Sequence, residues 1–163
     1  MTAQLGYNLT SSDGTTPLFG LGDEIQVKGN RWKYVKASGA VAAYQLVHIT
    51  AAGLAIESTT TLVGTAARPT QLAVPQFAIA DTEYAWVPIG PFRIREDGST
   101  TFKVNAALNC ATSVKLYTTG TAGVVDDTAT TGVVQGLALT ETITTAEAAD
   151  CVAVTRLTSF CDT

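Results

Sequence analysis

The stretch Phe77–Arg95, with the sequence FAIADTEYAWVPIGPFRIR, decides the fold of this chain. It holds the densest group of aromatic side chains in the sequence. In its second half, apolar Phe92 and Ile94 alternate with arginines, and in its first half Tyr84 and Trp86 share one face. A period of two is typical of a half-buried strand. The stretch therefore predicts strands that carry the largest side chains of the core.

Pro88, Gly90 and Pro91 separate the two halves of this stretch. Proline donates no hydrogen bond to a sheet, so this cluster predicts a turn between two strands. Further short apolar runs recur at spacings of about 8–12 residues, with glycine-rich turns between them. This pattern predicts an all-β fold: a single-domain β-barrel or β-sandwich of short antiparallel strands.

Residues 31–50 give the first strong β pattern. Trp32 and Tyr34 fall on one side of a strand and Val35 and Ala37 on the other, and a second strand is expected within Ala40–Ile49. Residues 144–149 favour either one helical turn or a loop. The remaining predicted strands are Leu54–Glu57, Leu62–Ala67, Leu72–Ala80, Thr101–Ala107, Val114–Tyr117, Val133–Leu139 and Cys151–Leu157, and a turn is expected at Glu96–Gly98.

Residues 1–30 have no sustained period and are interrupted by glycine and proline. We interpret them as an extended N-terminal arm that precedes a β domain at residues 31–163. Leu18, Phe19 and Leu21 form a small apolar group within it. An isolated arm is costly to order and usually becomes ordered on a partner surface. The alternative, a loop folded back over the chain's own core, stays open.

The composition indicates a surface that touches other proteins. Charged residues make up 15% of the 163 residues, against roughly 25% in typical soluble domains. The chain is rich in Thr and Ala, which suits strands covered by neighbouring molecules, although a plain monomeric β domain is the alternative. The net charge of -4 argues against nucleic acid as a partner, because binding phosphates requires clustered Lys and Arg.

The cysteines and the hydropathy of the chain indicate the cellular compartment in which the protein is made. Cys110, Cys151 and Cys161 are too few and too scattered for a disulfide framework, and no Cys-X-X-Cys pair suggests zinc. No signal peptide and no membrane-spanning apolar run is visible. We therefore expect synthesis in a reducing cytoplasm, with no membrane partner.

The sequence offers no group of residues suited to catalysis. His48 is the only histidine, and it is expected to face outward between core residues Val47 and Ile49. Asp126 and Asp127 lack the ligand spacing of a calcium loop and suggest a solvated turn. We expect no enzyme activity, no catalytic residues, no cofactor and no metal.

Several features, taken in order, resemble a known family. They are Phe19–Gly22, Gly29–Ala40, Ala78–Val87, Gly90–Ile94, Val133–Leu139 and Val152–Leu157. Together they resemble small structural proteins of tailed bacteriophages, of the capsid decoration or cement type. The likeness covers most of residues 19–157 and consists of strand and turn patterns.

The resemblance implies a non-enzymatic virion protein, made in the cytoplasm of a bacterial host and located on the capsid exterior. It would bridge major capsid proteins, bind other copies of itself as a homo-oligomer, and stabilise the head. The partner-binding residues would be Leu18, Phe19, Leu21, Trp32 and Tyr34. Two alternatives remain: a tail-tube or head–tail joining subunit, and a carbohydrate-binding β module that uses Trp32 or Trp86 as an aromatic platform.

Overall fold

The computed structural model describes residues 6–60, 70–93, 101–112, 114–130 and 132–161. The predicted strand Leu62–Ala67 and the predicted turn Glu96–Gly98 lie outside these ranges. Within them the chain forms eleven strands: β1 (Glu24–Val27), β2 (Asn30–Ala37), β3 (Val47–Ile49), β4 (Leu54–Glu57), β5 (Thr70–Ala73), β6 (Tyr84–Pro88), β7 (Phe102–Ala106), β8 (Leu116–Thr118), β9 (Val125–Asp126), β10 (Gly132–Leu139) and β11 (Glu147–Cys161).

The predicted all-β, single-domain fold is confirmed, and it contains a closed five-stranded barrel. β11 pairs with β10, β10 with β8, β8 with β9 and β9 with β7, and β7 returns to β11. The pairing of β7 with β9 is parallel, and the other four are antiparallel. Closure removes the open strand edges that a flat sheet would expose.

β11 is 15 residues long and organises the molecule. Its first five residues pair with β7, two residues near its end pair with β5, and β10 lies along its other edge. The register with β10 shifts at Gly136, whose φ is 88°. A Cβ at this position would lie 2.6 Å from Thr155 Oγ1, so the bulge requires glycine.

The sheet continues from β11 through β5, β3 and β4 to β2, and β1 and β6 also pair with β2. The residues after β6 return to β11. Leu157 donates its N–H to the carbonyl oxygen of Ile89 at 2.8 Å, and Phe92 and Ala153 exchange two hydrogen bonds of 2.9 Å. The two halves of the molecule are therefore joined along one strand.

Two hydrophobic clusters fill the interior, and β2 contributes to both. Trp32 and Tyr34 belong to the larger cluster, while Val35 and Ala37 belong to the smaller one. The predicted alternation of β2 is thus confirmed. The larger cluster also contains Phe102 of the barrel, whose ring lies 5.9 Å from that of Trp32.

The predicted pair of strands within Phe77–Arg95 is confirmed only in its first half. Among the described residues 77–93, Tyr84–Pro88 is the only strand, and it pairs with β2. Phe92 instead forms an isolated bridge with Ala153, beyond a cis peptide bond between Gly90 and Pro91. The two halves diverge because each has its own partner strand. Residues 94 and 95 lie outside the described ranges.

The predicted extended arm at residues 1–30 also needs correction. Glu24–Val27 forms β1 and pairs with β2, so the proposed boundary at residue 30 cuts through a hairpin. The described residues that precede β1 fold back over the sheet, which was the alternative interpretation. Elsewhere Leu54–Glu57 is confirmed, Ala40–Ile49 shortens to Val47–Ile49, and Glu147 begins β11 where a helical turn or loop was expected.

Candidate partner-binding surface

Residues 6–22, here called the N-terminal segment, cover an aromatic layer on β2 and β6. Phe19 is the central contact, with ring centroids 5.3 Å from Tyr34 and 5.2 Å from Trp86. The Tyr7 ring lies tilted against Phe19, with centroids 5.3 Å apart, and meets Trp86 edge-on at 5.4 Å. Aromatic side chains bury large apolar areas, so these contacts hold the segment against the sheet.

Backbone hydrogen bonds fix the path of the segment. Asp13 donates its N–H to the carbonyl oxygen of Tyr84 at 2.8 Å, and Tyr84 donates to the carbonyl oxygen of Gly14 at 2.9 Å. Leu18 donates its N–H to the hydroxyl oxygen of Tyr34 at 3.1 Å. Burial raises the pKa of Tyr34 to about 12, and the Asp13 carboxylate adds to that shift. The hydroxyl therefore stays protonated as part of the packed interior.

With Phe19 turned inward, its neighbours turn outward. Leu18 is 53% exposed, Leu21 is 44% exposed and Tyr7 is 49% exposed. Leu21 rests on the turn between β3 and β4, because a Cβ at Gly53 would lie only 2.7 Å from Leu21 Cγ. We call Tyr7, Leu18 and Leu21 the apolar surface. Its backbone is anchored, so a partner would meet side chains that are already positioned.

The structure separates the five residues predicted to bind a partner. Leu18 and Leu21 are exposed, and Phe19 is partly buried against the core. Trp32 and Tyr34 are 2% and 0% exposed, so their side chains lie inside the core and are not available to a partner. The prediction for these two is corrected: their alternation marked a core face, on which Phe19 covers Tyr34 and Phe102 packs against Trp32.

Sequence reasoning missed Tyr7, which adds an exposed aromatic edge to the apolar surface. Its local pattern, Gly6-Tyr7-Asn8, shows no strand or helix period. The available signal was its aromatic character, since tyrosine has an apolar ring and a polar tip and is common at interfaces.

The alternative of a carbohydrate-binding module relied on Trp32 or Trp86 as an exposed aromatic platform. Both side chains are buried, so they cannot form a platform for sugar.

A thiol and two carboxylates meet at one end of the barrel. Ligand atoms of Cys110, Asp126 and Asp127 lie within 4.8 Å of one another. Asp127 Oδ2 accepts a hydrogen bond from Ala111 N at 3.0 Å, and so closes the loop after β7. Burial raises the pKa of Cys110 to about 11, helped by the charges of both aspartates. The thiol is therefore protonated at neutral pH, which is unsuited to nucleophilic attack.

His48 is half-buried between Ile56 of β4 and Leu72 of β5. Its neighbours Val47 and Ile49 are buried on the opposite face, as predicted. Burial lowers the pKa of His48, so the ring is neutral at neutral pH. In the part of the chain that the structure describes, its Nδ1 has no hydrogen-bond partner.

Among the residues that the structure describes, no helix has the length and apolar character that crossing a membrane requires. Comparisons of the chain with protein-family models, with curated proteins and with solved structures give no match.

Proposed function

We propose that this chain is a non-enzymatic structural protein of a phage virion, which binds the outer surface of the capsid lattice and bridges major capsid proteins. The apolar surface of Tyr7, Leu18 and Leu21 is the observation that carries the proposal. Large apolar side chains held in fixed positions on an otherwise packed β domain suit contact with another protein. The resemblance of most of residues 19–157 to capsid decoration proteins supports the same function.

Binding of this kind needs no chemistry. A protein that binds only the assembled lattice stabilises that lattice by mass action. Repeated copies on a shell add avidity, since each contact keeps its neighbours at high effective concentration. A specific contact would bury roughly 1,200–2,000 Å². The apolar surface would supply its centre, with the uncharged Thr-rich strands around it and copies of the chain meeting one another.

The test is binding of purified protein to capsids that lack it, measured as copies per shell on a protein gel. The double variant Leu18→Ser with Leu21→Ser removes both leucines of the apolar surface and keeps Tyr7 and Phe19, which hold the segment on the sheet. We expect binding to fall at least about tenfold, the effect of losing roughly 1.4 kcal/mol.

The matched control is Leu108→Ser, which removes a leucine that is 59% exposed elsewhere on the surface. It should bind like the unmodified protein. If the double variant also binds normally, the apolar surface is not the lattice contact. If the unmodified protein forms rings by electron microscopy and does not decorate capsids, the alternative of a tail-tube or head–tail joining subunit is favoured.

A further inference from the structure

A shallow cavity of about 260 Å³ lies between the turn that joins β1 to β2 and the residues that follow β6. It shares no residue with the apolar surface. Its volume is slightly below the roughly 300–1,000 Å³ of typical small-molecule sites, so it suits one side chain rather than a cofactor. The lining residues are Lys28, Gly29, Asn30, Pro91, Phe92 and Arg93.

The walls of this cavity are tied together. The buried Asn30 accepts a hydrogen bond at its Oδ1 from Arg93 N at 3.1 Å, and Arg31 donates its N–H to the carbonyl oxygen of Pro91 at 3.0 Å. Phe92 is 1% exposed and anchors the floor in the larger core cluster. The cavity is therefore formed before any ligand arrives, which lowers the cost of binding.

Two basic side chains lie at the rim of the cavity. Lys28 and Arg93 are exposed there, and the lining residues that the structure describes include no acidic residue. The Arg93 guanidinium forms no ion pair or hydrogen bond with any residue in the described ranges. A guanidinium is a planar fork of N–H donors that matches both oxygens of a carboxylate. The rim thus offers a donor pair to an incoming acidic group.

We propose that this cavity binds a carboxylate side chain of a partner protein, with the oxygens on Arg93 and the methylene stem over the partly exposed ring of Pro91. The exposed part of Pro91 favours an acid on a hydrocarbon stem over an inorganic anion, which has no stem to bury. The proposal concerns a second contact surface, and it stands whether or not the partner is a capsid protein.

The test is a titration of the ¹⁵N-labelled full chain, followed by amide and guanidinium NMR shifts. The probe is N-acetylglutamate α-amide, which carries one carboxylate on a short stem. We expect saturable shifts at Gly29 and Arg93 in the range of about 1–10 mM, typical of a single small contact. Its neutral analogue, N-acetylglutamine amide, should leave both signals in place.

Arg93→Gln should weaken the response at Gly29 at least about tenfold, and Arg31→Gln, which changes a basic residue outside the cavity, should preserve it. Both side chains lie outside the core clusters, so the rest of the spectrum should report a native fold for each variant. Equal shifts with inorganic phosphate, an unchanged response in Arg93→Gln, or no saturable shift at all would each overturn the proposal.

Discussion

At the scale of single residues, Gly136 is a position where both the backbone conformation and the space around it require glycine. Its φ of 88° disfavours any residue with a side chain, and a Cβ added here would lie 2.6 Å from Thr155 Oγ1. We expect Gly136→Ala to lower the free energy of unfolding by about 1–3 kcal/mol, measured by urea denaturation. Gly29 has a similar φ of 84° but open space around an added Cβ. Gly29→Ala should therefore lower the free energy of unfolding by less, and its loss measures the cost of the backbone conformation alone. Equal losses in both variants would mean that contact with Thr155 contributes nothing.

The two cysteines whose side chains the structure describes give a second prediction at this scale. Cys110 and Cys151 are buried, and burial raises the pKa of both thiols. Since the thiolate is the reactive form, neither should react with Ellman's reagent in the folded protein. In a Cys161→Ser variant, the two thiols should become reactive only on unfolding in denaturant. Reaction of the folded variant as fast as the unfolded chain would show that these side chains are accessible.

At the scale of elements, the N-terminal segment depends on one side chain. Phe19 contacts Tyr7, Tyr34 and Trp86, so Phe19→Ala should loosen residues 6–22 while leaving the barrel closed. We expect a loss of about 2–3 kcal/mol, below the roughly 3–5 kcal/mol for a fully buried phenylalanine. Hydrogen exchange should accelerate at Asp13 and Leu18, whose amides bond to the sheet.

The control for that experiment is Leu18→Ala, which shortens an exposed side chain and should change the stability by no more than about 0.5 kcal/mol. If Phe19→Ala leaves exchange at Asp13 and Leu18 unchanged, the backbone hydrogen bonds alone hold the segment.

A second link between elements joins β1 to β11. Arg156 forms two hydrogen bonds to Glu24, of 3.0 and 2.6 Å, and Lys33 lies 3.4 Å from the same carboxylate. Burial alone would raise the pKa of Glu24, but Arg156 and Lys33 outweigh it and the pKa is lowered from 4.5. The pair therefore stabilises the fold above pH 4.5, and that contribution is lost as the pH falls through the lowered value.

We expect a double-mutant cycle of Glu24→Gln and Arg156→Gln to give a coupling energy of about 0.2–1 kcal/mol at neutral pH, since the pair is partly exposed. The coupling should shrink in high salt and vanish well below pH 4.5. A coupling that is unchanged in acid would assign it to packing of the side chains rather than to charge.

The elements also show what the sequence could and could not predict. β2 was predictable because its alternation is a local property, and each face meets its own core cluster. The partner of each strand was not, since Phe92 bonds to Ala153, 61 positions away in the chain. The burial of Tyr34 depends on Phe19 of the N-terminal segment and that of Trp32 on Phe102 of the barrel, and such long-range contacts have no periodic signal. Exposed Leu18 and Leu21 were predicted because apolar side chains in an irregular segment are visible in the sequence itself.

At the scale of the whole molecule, β11 makes the two halves depend on one another. It closes the barrel with β7 and β10, and it receives β5 and residue Ile89 from the other half. If β11 detaches, both halves lose a strand and both core clusters open. We therefore expect one cooperative unfolding transition, with the same denaturant midpoint for every probe.

Two core variants test this coupling, because each removes volume from a different cluster. Leu157→Ala, on β11, should cost about 2–5 kcal/mol, and Val47→Ala, in the smaller cluster, about 1–3 kcal/mol. Fluorescence of Trp32 and Trp86 reports on β2 and β6, whereas hydrogen exchange of β8 and β10 reports on the barrel. In both variants the two probes should shift together, with the slope of the transition unchanged. If the halves were independent, Val47→Ala would shift the tryptophan transition and leave hydrogen exchange in the barrel unchanged. In that case β11 would not couple the unfolding of the two halves.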